Sequence, residues 1–189
     1  MDPQATTDME TSTGAMTLNM DIWKGAGFDR SPSRILILGE STYGDDPPLA
    51  VYVRRWVAGK QPDYLFSRLF RVCCGQPASS ATLEARGGFW DSVAFYNFVP
   101  DSVGAKRSDR PTASNYKKGE DLLPTVLAAL QPAGVWILGI DNALYSKPII
   151  TERNIVCRVS QHPCGYGVKT SELEEEWSKL KLLADNSQR

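Results

Sequence analysis

The chain has 189 residues, of which 42% are hydrophobic and 23% are charged, and its formal net charge at pH 7 is −1. These values predict one globular domain of ordinary size and exclude a protein that binds nucleic acid through a global basic field. The sequence has no apolar run long enough to cross a membrane and no secretory signal pattern, so we expect a cytoplasmic protein without a membrane partner. Residues 1–20 are polar and lack periodicity, which predicts a disordered leader before a domain at residues 21–185.

The first strong structural signal is the segment from Arg34 to Gly44, which reads RILILGESTYG. Its apolar run does not alternate with polar residues, which is typical of a strand buried on both faces of a parallel sheet. Gly39 ends the run, and four residues able to bond or stack follow it, from Glu40 to Tyr43. Ligands of open α/β sheets bind beyond the carboxyl ends of the strands, so this loop is a candidate site.

Predicted helices and strands alternate along the rest of the chain. The predicted helices are Leu49 to Val57, a helix capped by Asp63 and ended by Gly75, Glu120 to Leu130, and a last helix with a capping box at Ser171 to Glu174. The further predicted strands are Phe89 to Val99, Val135 to Gly139 and Ile155 to Val159, and the predicted loops are Gln76 to Gly88 and Asp101 to Gly119. This order predicts a three-layer α/β/α sandwich around a mostly parallel four-stranded sheet.

Polar side chains follow three of the four predicted strands. Glu40 follows the first strand, Asn97 lies at the end of the second, and His162, the chain's single histidine, follows the fourth. Because parallel strands end at one edge of the sheet, we expect these three side chains to share one site. A lone histidine is more often structural, and Cys164 is too close in sequence to His162 to favour a nucleophilic dyad.

The four cysteines do not have the spacing of zinc or iron–sulfur motifs, because two of them are adjacent. They are Cys73, Cys74, Cys157 and Cys164. We therefore expect four free thiols.

Taken together, three segments resemble the motifs of the uracil-DNA glycosylase superfamily. They are GESTYG at residues 39–44, FYNF at residues 95–98 and HPCGYG at residues 162–167, and the resemblance extends over about residues 34–168. It implies a monomeric DNA glycosylase that hydrolyses the N-glycosidic bond of a flipped-out uracil or other modified pyrimidine and leaves an abasic site. This reaction requires no metal or organic cofactor. Two alternatives stay open: a glycosylase for a bulky modified pyrimidine of phage DNA with a defence role, and a catalytically inactive DNA-binding module.

The resemblance also implies roles for individual residues. Asn97 matches the asparagine that reads the base, and His162 matches the histidine that hydrogen-bonds the base as negative charge develops on it. Ser41 stands where the most efficient members have an aspartate. Glu40 instead matches the glutamate of a class that usually carries an iron–sulfur cluster. Glu40 is thus our candidate for orienting water and stabilising the sugar cation, as the third catalytic residue beside Asn97 and His162.

The remaining predicted contacts divide between the base and the DNA backbone. Tyr43 resembles the tyrosine that blocks the 5-position of the pyrimidine, Tyr52 is the candidate for stacking on the base, and Tyr166 occupies the position of an apolar wedge. The predicted base-binding residues are Gly39, Ser41, Tyr43, Tyr52 and Asn97. The predicted DNA-binding residues are Lys106, Arg107 and Arg110 in a basic connection, with Cys164, Gly165 and Tyr166 in the last motif.

Overall fold

A five-stranded sheet forms the middle layer of the computed structural model, which describes residues 21–44, 46–106 and 109–187. The strands are β1 (Trp23–Lys24), β2 (Ile35–Gly39), β3 (Ala94–Asn97), β4 (Gly134–Leu138) and β5 (Val156–Ser160). Their order across the sheet is β1-β3-β2-β4-β5. The β3, β2, β4 and β5 strands run parallel, and the short β1 strand pairs antiparallel with β3 at one edge. The predicted leader, residues 1–20, lies outside the described residues.

Six α-helices cover the two faces of this sheet. They are α1 (Leu49–Val57), α2 (Tyr64–Cys74), α3 (Leu83–Ser92), α4 (Ala113–Leu130), α5 (Ile140–Thr151) and α6 (Thr170–Asn186). Alternate residues of β2 explain the layering: Ile35 and Ile37 pack with α1, α2, α3 and α6, whereas Leu36 and Leu38 pack with α4 and α5. The predicted α/β/α sandwich with a mostly parallel sheet is therefore confirmed, although the sheet has five strands rather than four.

Two local predictions about α2 are also confirmed. The Asp63 carboxylate accepts a hydrogen bond from the Phe66 amide at 2.7 Å, which satisfies one of the free amides of the first turn. Gly75 follows the helix with φ +70°, a left-handed conformation that favours glycine. The α1 helix has no cap from its own N-cap residue, and Asp21 supplies one instead by accepting the Leu49 amide at 2.7 Å.

The prediction of a strand over Phe89 to Val99 and a loop over Gln76 to Gly88 is wrong in part. The α3 helix begins inside the predicted loop, where the Thr82 hydroxyl accepts the Ala85 amide, and it continues through Ser92. Phe89 and Trp90 favour a strand by intrinsic propensity. Both nevertheless belong to this helix, and their buried rings pack against Phe66 and Phe70 in an aromatic cluster. Only Ala94–Asn97 remains as the strand β3.

Three other boundaries differ from the sequence prediction. The α4 helix begins at Ala113 rather than Glu120, because Thr112 and Asn115 form a reciprocal capping box. The α5 helix was not predicted, since Pro148 interrupts the segment and the hydrophobic periodicity is weak. The predicted capping box at Ser171 to Glu174 is wrong, because α6 begins at Thr170 and its N-cap residue, Lys169, makes no capping hydrogen bond with its side chain.

Candidate functional site

A cavity of about 790 Å³ opens at the carboxyl edge of the sheet, beyond β2, β3, β4 and β5. Most of the residues that the sequence nominates line it together: Glu40, Ser41, Tyr43, Tyr52, Asn97, Arg110, His162, Cys164 and Gly165. The strand ends thus bring Glu40, Asn97 and His162 to one cavity, as expected for a parallel sheet. Gly39 lies at the end of β2 beside Asn97, while Lys106 and Tyr166 lie outside the cavity lining, and Arg107 is outside the described residues.

Gly39 is required by the close approach of the Asn97 side chain. The two residues are partners in the parallel register of β2 and β3. A Cβ atom built on Gly39 would lie 2.4 Å from Asn97 Oδ1 and 2.9 Å from Phe95 Cζ. The absence of a side chain at Gly39 thus leaves the space that the Asn97 amide occupies at the floor of the cavity.

His162 is held in a single tautomer by the loop that follows it. Its Nδ1 accepts a hydrogen bond from the Cys164 amide at 3.2 Å, so Nε2 carries the hydrogen of the neutral ring. Burial lowers the pKa of His162 below its ordinary value; the Glu40 carboxylate opposes this shift, and Arg110 adds to it. His162 is accordingly a neutral imidazole at pH 7, with Nε2–H as its donor.

Glu40 is fixed from the opposite layer by a tyrosine of α4. The Tyr116 hydroxyl donates to Glu40 Oε1 at 2.8 Å. The Tyr116 ring stacks on the Tyr145 ring with 4.2 Å between the centroids and 9° between the planes, which locks it against α5. Burial and the bond to Glu40 both raise the pKa of Tyr116, so it stays a protonated donor at neutral pH. This contact joins residues 76 apart in the chain, and no local pattern predicts it.

Asn142 is a second residue that the sequence analysis did not identify. It is completely buried in the first turn of α5, and its Nδ2 donates to the main-chain oxygens of Gly39 at 3.0 Å and Leu38 at 3.2 Å. These bonds tie the end of β2 to the start of α5 directly beneath the cavity. Gly139 precedes this turn with φ +101°, a conformation that favours glycine. An Asn three residues after a strand-ending glycine is the only local signal of this tie.

The connection that follows β3 pairs with the loop that follows β2. Thr42 forms a bridge with Ser102, the Val103 amide donates to the Thr42 oxygen at 3.1 Å, and the Gly44 amide donates to the Gly104 oxygen at 2.6 Å. This pairing supports the half-buried Tyr43 at the cavity wall. The Ser41 hydroxyl is buried there and has no hydrogen-bond partner among the described residues.

Tyr52 lies at another wall, where its orientation is fixed by two contacts. Its hydroxyl donates to Asp63 Oδ2 at 2.7 Å, and its ring meets the Phe66 ring edge-on, with 5.2 Å between the centroids. Burial and the bond to Asp63 raise the pKa of Tyr52, so its hydroxyl is uncharged at neutral pH. Phe66 and Phe95 also line the cavity, which makes this wall aromatic.

The basic connection contributes fewer free cations than its composition suggests. Lys118 pairs with Asp101 at 2.5 Å and Lys117 with Asp121 at 2.9 Å, and both lysines belong to α4 rather than to a loop. Arg110 is exposed at the cavity, and neither it nor Lys106 takes part in an ion pair among the described residues.

The loop that follows β5 is held by an arginine of α2. The Arg68 guanidinium donates to the main-chain oxygen of Pro163 at 2.5 Å and to that of Val168, closing the two ends of the loop against the helix. These partners are 95 and 100 residues away in sequence, which explains why the sequence analysis missed them. Tyr166 at the loop tip is fully exposed.

Neither a comparison with protein-family models nor one with curated proteins gives a match for this chain. Within the described residues, no group of three or more His, Cys, Asp or Glu side chains is arranged to hold a metal ion. The cysteines do not fit an iron–sulfur cluster, because Cys73 and Cys74 end α2 while Cys157 lies in β5. No helix of the described chain is long and apolar enough to span a membrane.

Proposed function

We propose that the protein is a DNA glycosylase that hydrolyses the N-glycosidic bond of a flipped-out uracil or other modified pyrimidine. The observation that carries the proposal is the meeting of Glu40, Asn97 and a neutral, Nε2-protonated His162 in one cavity. The resemblance of three sequence segments to the uracil-DNA glycosylase superfamily supports the same reaction. It also makes DNA the partner of the site.

In the proposed reaction, the bond between C1′ and the base nitrogen breaks, and its electron pair leaves with the base. The Asn97 amide binds the polar edge of the base, to which it offers both a donor and an acceptor. His162 Nε2–H donates to the base oxygen on which negative charge develops, and one such donor is typically worth about 3 kcal/mol of transition-state stabilisation. Because Nδ1 already accepts the Cys164 amide, the ring cannot turn away or take up a second proton without losing that bond.

Glu40 completes the proposed reaction at the sugar. Its carboxylate stabilises the cationic character of C1′ and orients the water whose oxygen bonds to that carbon, and the proton that this water loses ends on the departed base anion. Tyr116 holds one carboxylate oxygen, and Glu40 lines the cavity. Because the donor is a neutral tyrosine, this bond holds Glu40 without cancelling its charge.

A pyrimidine with a bulky substituent is the second candidate substrate, and the size of the cavity favours it. A volume of about 790 Å³ is in the upper part of the range of about 300–1,000 Å³ that holds drug-sized ligands. A bare pyrimidine would leave much of this space to water. Tyr43 lines the cavity, and its position relative to the base would distinguish the two substrates. A ring against the pyrimidine 5-position would exclude a bulky substituent, whereas a ring away from it would leave room for one.

A panel of oligonucleotides tests the proposal and identifies the base. Each carries one uracil, thymine, 5-hydroxymethylcytosine or glucosylated 5-hydroxymethylcytosine, and abasic sites are revealed by alkaline strand cleavage. Wild type should excise the base from at least one of these oligonucleotides. Glu40→Gln keeps an acceptor for Tyr116 but removes the charge, so its rate should fall by about 100-fold or more. Binding of the panel without any abasic site would contradict the proposal and favour a DNA-binding module without turnover.

A further inference from the structure

A second groove, of about 710 Å³, lies between α2 and the loop that follows β5. It adjoins the site cavity, because Tyr64, Cys164, Gly165 and Val168 line both. A polymer whose base enters the site cavity would therefore have its adjoining unit at this groove.

The charge of the groove is opposite to that of the site cavity. Arg68 and Arg71 line the groove, and none of its described lining residues is acidic. The site cavity instead has the carboxylates of Asp21, Glu40, Asp46, Asp63 and Asp141 in its lining, with Arg110 as the cation. Arg71 is exposed and takes part in no ion pair among the described residues, so its charge is available to a phosphate.

Two exposed tyrosines stand at this groove. Tyr166 is fully exposed at the loop tip, and Tyr64 is 59% exposed at the start of α2, where its hydroxyl accepts a hydrogen bond from Arg68 at 3.3 Å. Exposed aromatic faces beside free cations are the elements of single-stranded nucleic-acid binding, in which bases stack on rings and cations follow the phosphates. In a duplex the faces of the bases are already covered by their neighbours, so these rings would have no base to bind.

We infer that this groove binds the nucleotide next to the flipped base, and that the substrate is single-stranded DNA. The inference rests on the proposed function for the identity of the polymer. The base of that neighbouring nucleotide stacks on Tyr64 or Tyr166, and its phosphate pairs with Arg71. This assignment gives Tyr166 a stacking role on a single strand instead of the wedge role in a duplex that the sequence resemblance implies.

Binding of a fluorescein-labelled 12-nucleotide strand of unmodified DNA, measured by anisotropy, tests the inference without requiring any turnover. Wild type should bind this strand more tightly than the matching duplex. At least one of Tyr64→Ala and Tyr166→Ala should weaken binding about 5-fold or more, the lower end of the range for losing one stacked base. Tyr64→Phe and Tyr166→Phe keep the rings and should bind like wild type.

Arg71→Gln should reduce the slope of log affinity against log salt concentration by about 0.7, the value for one phosphate contact on a single strand. The matched control is Arg153→Gln, because Arg153 follows the end of α5 at the opposite edge of the sheet and should leave the slope unchanged. Thermal unfolding of each variant should match wild type, since all of these side chains lie wholly or partly in solvent.

Equal binding by wild type and the alanine variants would overturn the inference and leave the groove to another occupant, such as a protein. Tighter binding of the duplex, or of an RNA strand of the same sequence, would also overturn it. The results distinguish the groove assignment from the proposed function. If the protein excises a base but the Tyr64 and Arg71 variants bind DNA like wild type, only the groove assignment is contradicted. Groove-dependent binding without excision contradicts only the reaction.

Discussion

Replacing Gly39 by alanine tests whether the first glycine of the site exists to make room for Asn97. The added Cβ would lie 2.4 Å from Asn97 Oδ1, whereas ordinary contacts begin at 3.4 Å, so the amide must retreat by about 1 Å. The Phe95 ring, 2.9 Å from the same position, must shift by less. Both atoms are the far ends of side chains, so the fold can adapt while the geometry of the site changes.

The expected loss of activity is therefore much larger than the loss of stability. A misplacement of about 1 Å in a site can cost about 100-fold in rate, and we expect that loss in the single-turnover excision rate of Gly39→Ala. Overpacking a core position typically costs about 1–3 kcal/mol, so urea unfolding should show a folded protein with a moderately lower free energy of unfolding. The Asn97→Ala variant should lose activity to a similar extent.

A double-mutant cycle gives this prediction its sharpest form. If Gly39 acts through Asn97, then adding Gly39→Ala to Asn97→Ala should cost little further activity. The matched control is Gly88→Ala in α3, where a Cβ would meet nothing within 4 Å; it should keep full activity and stabilise the helix by about 0.5–1 kcal/mol. Additive losses in the double variant, or full activity of Gly39→Ala, would show that Gly39 does not act by making room for Asn97.

Three further predictions follow from the same geometry. His162 is the only histidine, so its ring nitrogens give isolated NMR signals. These signals should show a neutral Nε2–H ring at pH 7, and the midpoint of their pH titration should lie below about 6.5. Because the His162 ring of the unfolded chain is protonated at a higher pH than that of the folded chain, the unfolding free energy should fall as the pH drops below about 6.5. The His162→Ala variant should lack this pH dependence, and it should also excise the base about 100-fold more slowly. Tyr43→Ala should admit thymine if the ring blocks the 5-position, with a rate still below that on uracil because one methyl group is worth about 1–3 kcal/mol, and an unchanged uracil-to-thymine ratio would contradict that role. Neutralising Lys106 and Arg110 together should weaken binding to any DNA sequence and flatten its salt dependence, whereas an unchanged slope would show that this connection faces only solvent.

The parts of the fold that the sequence predicts well are those whose signal is local. The β2 and β4 strands are continuous apolar runs too short for helices, and both are buried on two faces. Their carboxyl ends, and those of β3 and β5, meet at one edge of the sheet. The sequence alone therefore predicts that Glu40, Asn97 and His162 lie close together. The α3 helix could not, because its aromatic residues favour a strand and only their packing against α2 makes them helical.

The residues that orient the site are the ones that the sequence does not reveal. Tyr116 reaches Glu40 from α4, Arg68 closes the last loop from α2, and Asn142 fastens the end of β2 from α5. Each of these is a contact between elements far apart in the chain, and only Asn142 has a local signal, its position three residues after Gly139. Local sequence thus identifies the groups that face the ligand, while the supporting groups depend on tertiary packing.

Analysis of both products of a single turnover shows whether the protein excises a base. Wild-type protein in excess is incubated with a single-stranded oligonucleotide carrying the base selected from the panel, and both products are measured by mass spectrometry. We predict one free base for each abasic oligonucleotide, formed at pH 7 without added metal or cofactor, and loss of both products in Glu40→Gln. An oligonucleotide that stays intact in mass after prolonged incubation, although it is bound by the protein, would contradict base excision.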